Sequence, residues 1–64
     1  MQYMVVTNKG IYLDSAIRDM RNQVNSWCNC GWKPQGGISI ALEPHSDYQV
    51  GTCYCLVQAM VKED

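Results

Sequence analysis

The spacing of apolar residues changes along this chain, and each change predicts a different element. Residues 2–7 form a short run of β-formers that ends at the turn sequence Asn8-Lys9-Gly10, so a first strand is predicted over Gln2–Thr7. From Leu13 onward the apolar residues recur at i, i+3, i+4 and i+7, which is typical of an amphipathic helix. The apolar stripe of this helix consists of Leu13, Ala16, Ile17, Met20, Val24, Trp27 and Cys28.

Glycine and proline mark the end of the helix and the start of the remaining strands. Gly31 lies where a left-handed cap would end the helix, and Pro34 prevents the helix from continuing. A second strand is predicted over Ile38–Glu43, where large apolar side chains alternate with small or polar ones. After a polar loop, Thr52–Lys62 predicts a third strand with two apolar faces, one of them interrupted by Gln58.

The predicted order of strand, helix, strand and strand belongs to the α+β class and fits a single domain over residues 1–64. A right-handed crossover makes strands one and two parallel, and the hairpin makes strand three antiparallel to strand two. If strand three lies in the middle, in the order 2-3-1, its two apolar faces are explained. One helix covers only one sheet face, so we expect the other face, or an edge strand, to form a homo-oligomer interface.

Composition narrows the classes of partner. The chain has 64 residues, with five basic and six acidic side chains and a formal net charge of -1. Its scattered basic residues do not form the clustered positive face that nucleic acids require. Charged residues make up 17% of the chain, against about 25% in typical soluble domains, which indicates a partly apolar surface. We recognise no secretory signal or membrane-spanning run and expect a cytoplasmic protein with reduced thiols.

Two consecutive glycines define the main candidate for a ligand site. Gly36 and Gly37 allow backbone N–H groups to converge on an anion, with Lys33 nearby and Trp32 able to stack on a flat ring. Gln35 completes this set. The alternative interpretation is structural: the glycines form a bulge that opens strand two, and Trp32 anchors the helix on the sheet. The spacing matches no phosphate-loop or dinucleotide motif.

Further ligand contacts are expected from the hairpin that follows. His45 and Tyr48 lie in its polar loop, and Tyr54 follows in strand three. We expect them to complete a pocket between subunits. The neighbours Ser46 and Asp47 do not make His45 catalytic, because the members of a triad meet in space and rarely stand next to one another in sequence. The sequence therefore favours a protein that is not an enzyme and carries no cofactor.

The cysteines form two Cys-x-Cys pairs, Cys28 with Cys30 and Cys53 with Cys55. Four thiolates suggest zinc, but the common zinc knuckle has two residues between its ligands, so no metal site is predicted. Disulfides are the other alternative. On a strand, Cys53 and Cys55 share a face, and we expect at least two of the four cysteines to be buried as small apolar residues.

The chain resembles a family of very short bacterial and phage proteins that is catalogued as a domain of unknown function. Four segments carry the resemblance: Tyr3–Val6, Val24-Asn25, Gly31–Ser39 with its Gly-Trp-x-Pro-x-Gly-Gly signature, and Gln58–Lys62. The two Cys-x-Cys pairs and the enlarged hairpin loop depart from the family pattern. The resemblance implies a β-α-β-β fold and assembly into oligomers, and it implies no enzyme activity.

Two functions of different classes follow as hypotheses. The first is a homo-oligomeric binding module, in its most specific form a phage protein that sequesters a small nucleotide-type host signal. In this form, Lys33 and backbone N–H groups take the phosphate while Trp32 or a tyrosine stacks on the base. The second is a module that inhibits or tethers a host protein through its open sheet face or an edge strand.

Overall fold

The computed structural model describes residues 1–44 and 52–63. The first strand, β1, spans Gln2–Gly10, and helix α1 spans Leu13–Cys28. Strand β2 spans Lys33–Pro44, and strand β3 spans Thr52–Lys62. The predicted order of strand, helix, strand and strand is confirmed. No helix among the described residues has the length and apolar character needed to cross a membrane.

The three strands form one sheet with β3 in the centre. β3 pairs antiparallel with β1 on one side and with β2 on the other, which makes β1 and β2 parallel edge strands. The predicted α+β fold and the predicted strand order are therefore confirmed. Both edges of β3 pair with a neighbouring strand along most of its length. This is the central position that its two apolar faces predict.

The first strand is longer than its hydrophobic run indicates. Asn8, Lys9 and Gly10, predicted to form a turn, pair with Leu56, Cys55 and Tyr54 of β3 and extend β1. The prediction that β1 ends at Thr7 is wrong. The side-chain amide of Asn8 donates a 2.8 Å hydrogen bond to the carbonyl oxygen of Ala16 in α1. Asn8 favours turns, but this bond to the helix gives its side chain a partner while its backbone stays in the strand.

The second strand begins five residues before the predicted position. Lys33 pairs with Val61 and Pro34 with Met60, and the register then shifts between Gln35 and Ser39. Gly36 and Gly37 therefore form a bulge inside β2 and do not open it, which corrects the predicted boundary. Proline is compatible with this position because β2 is an edge strand, whose outer N–H groups need no partner within the sheet.

Helix α1 ends in a Schellman motif, as Gly31 predicts. The N–H of Gly31 donates to the carbonyl of Cys28 at 3.1 Å, and the N–H of Trp32 donates to the carbonyl of Trp27 at 3.1 Å. Gly31 has a φ of 94°, in the left-handed region that favours glycine. The indole rings of Trp27 and Trp32 meet edge to face with centroids 6.3 Å apart, which supplies the apolar contact that usually accompanies this motif.

The core lies between α1 and the faces of β1 and β3 that point toward the helix. Met20 of the helix and Leu56 and Met60 of the central strand are fully buried. Its buried members are Val6, Ala16, Met20, Leu56 and Met60, with Met4, Val24, Trp32 and Tyr54 packed around them. The predicted helical stripe therefore faces the sheet through Ala16, Met20 and Val24, while Ile17 stays exposed.

The helix leaves β2 uncovered. α1 packs mainly against β1 and β3, and all twelve residues of β2 are exposed. Ile40 pairs with the core residue Leu56, so Ile38, Ile40 and Leu42 lie on the helix side of the sheet. Ile40 is 51% exposed and Leu42 65%. The exposed apolar surface predicted for the face opposite the helix is present at Tyr3 and Val5, but a second one lies beside the helix.

Replacing Gly31 by alanine should lower the free energy of unfolding by about 1–2 kcal/mol, because a side chain at positive φ is strained. The new Cβ would also lie 3.3 Å from Cε of Lys62. Gly37→Ala is the control, since a Cβ at Gly37 meets nothing within 4 Å and its φ is not in the left-handed region. Urea unfolding checks this, and equal losses in both variants would contradict it.

Candidate functional site

A groove with a volume of about 500 Å³ runs between α1 and β2. Ile17, Arg21 and Val24 line it from the helix, and the bulge residues Gly36 and Gly37 line it from the strand. It exists because α1 packs over β1 and β3 and stops short of β2. Its volume falls within the range of about 300–1,000 Å³ that is usual for small-molecule sites, and its lining is mainly apolar, as in most such sites.

Gln58 connects the floor of the groove to the bulge. Its side chain is on the core face of β3 and is 3% exposed. The side-chain Nε2 donates to the carbonyl oxygens of Gln35 at 3.3 Å, Gly36 at 3.2 Å and Ala59 at 2.9 Å. A buried amide is stable only with such partners. Gln58, the polar residue that interrupts the apolar face of β3, therefore fixes the shape of β2 next to the groove.

Among the described residues that line the groove, Arg21 is the positively charged one. Its guanidinium can bind an anionic group by two parallel hydrogen bonds. Across the groove, Gly36 has a φ of 75°, and neither Gly36 nor Gly37 has an atom within 4 Å of where a Cβ would stand. A ligand can therefore approach the backbone of the bulge closely, while Ile17 and Ile38 offer an apolar surface to a flat ring.

The predicted ligand-binding residues that the structure describes are not gathered in one place within a single chain. Gly36 and Gly37 line the groove. Pro34 pairs with the core residue Met60, so its neighbours Lys33 and Gln35 point to the opposite sheet face. His45 and Tyr48 lie outside the described residues.

Trp32 and Tyr54 lie at opposite ends of the sheet. Trp32 is half-buried against the core, next to Trp27, and its ring centroid is 6.0 Å from Nζ of Lys62. Tyr54 also packs on the core, eight residues before Lys62 and thus roughly 26 Å away along the strand. The structural interpretation of Trp32 as an anchor of the helix is confirmed, and its role in ligand binding stays a prediction.

Sequence reasoning missed Arg21 and the contribution of Gln58. Arg21 lies off the apolar stripe of the helix, where charged residues are usually solvated, so its position beside a groove depends on where α1 stops covering the sheet. Gln58 did leave a signal, because it is a polar residue at a position that the strand pattern predicts to be buried. A buried amide on an otherwise apolar face indicates a specific hydrogen-bond partner.

The cysteines divide into two exposed and two buried thiols, all of them free. Cys28 and Cys30 are exposed at the end of α1, whereas Cys53 is 2% and Cys55 8% exposed on β3. The expected burial of at least two cysteines is confirmed. Because Cys53 and Cys55 lie at the far end of the sheet from the end of α1, the four thiols do not form one tetrahedral set.

An ion pair covers the two buried thiols. Lys9 of β1 and Glu43 of β2 flank the central strand, yet the Nζ of Lys9 is 3.2 Å from Oε2 of Glu43. The pair therefore spans β3 above Cys53 and Cys55. Burial, and then the hydrogen bond with Glu43, raise the pKa of the Cys55 thiol to about 11. The pKa of Lys9 is raised, chiefly by its hydrogen bond to the Glu43 carboxylate.

Comparisons with models of known protein families, with curated proteins and with solved structures find no match to this chain. The resemblance to the small bacterial and phage family therefore stays a prediction.

Replacing Gln58 by methionine should lower the free energy of unfolding by about 1–3 kcal/mol, because the carbonyl groups of the bulge lose their donor. The matched control is Gln35→Met. The Gln35 side chain is exposed, and only its main-chain oxygen takes part in the contact, so that change should stay within about 0.5 kcal/mol. Equilibrium unfolding in urea measures both. A Gln58 variant as stable as the control would exclude the proposed role of the amide.

Proposed function

We propose that this chain is a non-catalytic, homo-oligomeric binding module in which β2 forms the contact between subunits. The observation that carries the proposal is the exposure of all twelve residues of β2, with Ile38, Ile40 and Leu42 in a row on one face. Soluble monomers rarely expose a continuous apolar surface of this kind. A long edge strand also offers unpaired N–H and C=O groups to another chain.

A second copy of the chain is the partner that best fits this surface. Two β2 strands that pair antiparallel about Ile40 would place Ile38 opposite Leu42 on one face and Ser39 opposite Ala41 on the other. Apolar side chains then meet apolar ones, and Glu43 lies opposite Gly37, so no like charges are apposed. A symmetric dimer has this self-complementary character.

The groove beside β2 supports the second part of the proposal, the binding of a small anionic, nucleotide-type ligand. Arg21 and the open backbone at Gly36 and Gly37 would hold the anionic group, and Ile17 and Ile38 would contact the ring. A second subunit on β2 would add walls to the same groove. Sequestering such a host signal, the role proposed with the phage resemblance, needs only affinity and no catalytic group.

The face opposite the helix favours a second candidate, a module that binds a host protein. Tyr3 and Val5 of β1 are exposed there, with Val57 of β3 beside them. An aromatic residue with a polar tip suits a protein interface. Under this proposal the apolar row on β2 would be secondary.

Replacing Ile40 by lysine should convert the oligomer to a monomer, because the charge would be buried without a partner in the subunit contact. Thr7→Lys is the control, since Thr7 is exposed on β1 and lies on the sheet face opposite the helix, away from Ile40. Light scattering and native mass spectrometry give the subunit number. A monomeric wild-type protein would contradict the proposal, and dissociation by Thr7→Lys alone would indicate that the subunits meet through the face opposite the helix and not through β2.

Nucleotides or cyclic nucleotides should raise the melting temperature of the wild-type protein, and Arg21→Gln should weaken this binding roughly tenfold to a hundredfold by removing a charged hydrogen bond. Arg18→Gln is the control. Arg18 is exposed on the same helix, lies 3.5 Å from Asp19 and does not line the groove. Thermal shift followed by calorimetry measures the effect. No shift with millimolar ligand, or equal loss in both variants, would contradict this use of the groove.

A further inference from the structure

The thiol pair on β3 forms a compact group with a carboxylate on the sheet face opposite the groove. The carboxylate of Glu43 and the sulfurs of Cys53 and Cys55 all lie within 4.8 Å of one another. Glu43 is the cross-strand partner of Cys53, and Cys55 follows two residues later on the same face. Two adjacent strands thus direct two soft ligands and one hard ligand to a common point.

We propose that Glu43, Cys53 and Cys55 bind one zinc ion. Zinc accepts cysteine sulfur and carboxylate oxygen and prefers tetrahedral sites. Three protein ligands leave the fourth position to water, which is the pattern of an open zinc site. The site is independent of the groove, which lies on the helix side of the sheet.

The geometry is close to what the ion needs. Zinc–sulfur bonds of about 2.3 Å place the two sulfurs of a tetrahedral site roughly 3.8 Å apart. The separation of at most 4.8 Å between ligand atoms can close to this distance by small rotations of the side chains. The strand backbone, paired on both sides, holds the two cysteines in register while they do so.

The charges around the group also balance. Two thiolates and one carboxylate carry three negative charges, and Zn²⁺ and the ammonium of Lys9 carry three positive ones. Lys9 lies 3.2 Å from one oxygen of Glu43, so its ammonium lies next to one of the three proposed ligands. A partner of this kind, held by a hydrogen bond to a ligand, orients the ligand and stabilises the bound ion.

An ion can reach the sulfurs from the exposed side of the ion pair. The side chains of Lys9 and Glu43 are 62% and 50% exposed, so the ion pair above the thiols can move aside without disturbing the core.

Cobalt titration of the reduced, chelator-treated protein tests the proposal, because Co²⁺ bound by thiolates gives charge-transfer absorption. We expect one Co²⁺ per chain, displaced by Zn²⁺. The matched variants are C28S/C30S, which removes the exposed thiols and should bind as the wild type does, and C53S/C55S, which should lose the charge-transfer band. Circular dichroism reports whether each variant is folded.

Glu43→Gln keeps the test decisive if C53S/C55S does not fold. Its side chain is half exposed, so the variant should fold and bind Co²⁺ and Zn²⁺ at least tenfold more weakly, as competition with a chromophoric chelator measures. Zn²⁺ should raise the melting temperature of the wild type more than that of Glu43→Gln. Absence of a charge-transfer band in the wild type, its loss in C28S/C30S, or unchanged affinity in Glu43→Gln would each overturn the proposal.

Discussion

A helix covers about two strands of a sheet, and the sheet of this chain has three. Neighbouring strands lie about 4.8 Å apart, whereas a helix with its side chains is about 10–12 Å wide. α1 follows β1 directly and packs over β1 and the central β3. The apolar row on β2 is left without cover from the described part of the chain, and both the groove and the proposed subunit contact follow from this deficit.

Much of the fold could be predicted from the sequence because its strongest patterns are periodic. The helix stripe from Leu13 to Cys28, the two apolar faces of β3 and the cap at Gly31 each have a local physical cause. The strand ends could not be predicted in the same way. Gly10 and Pro34 are poor strand residues, and they lie in strands here because β3 is long enough to pair with them.

The candidate site was predictable only in part, because a site depends on which elements adjoin. The glycine pair was recognised, and it does line the groove. Its sequence neighbours Lys33 and Gln35 alternate to the other face, which a pattern read without a register does not show. Arg21 comes from the helix across the groove, and only the lateral position of α1 on the sheet brings it there.

β2 is weakly held by the core, and each of its two faces offers a way to stabilise it. A domain of 64 residues has a small core, and β2 is the strand that the core holds least. A second subunit would cover β2 on the helix side and along its edge. A zinc ion shared by Glu43 and the two cysteines would join β2 to β3 on the opposite face, and through Lys9 to β1. The two proposals therefore act on the same weakly held strand from different sides, and each can stabilise the strand without the other.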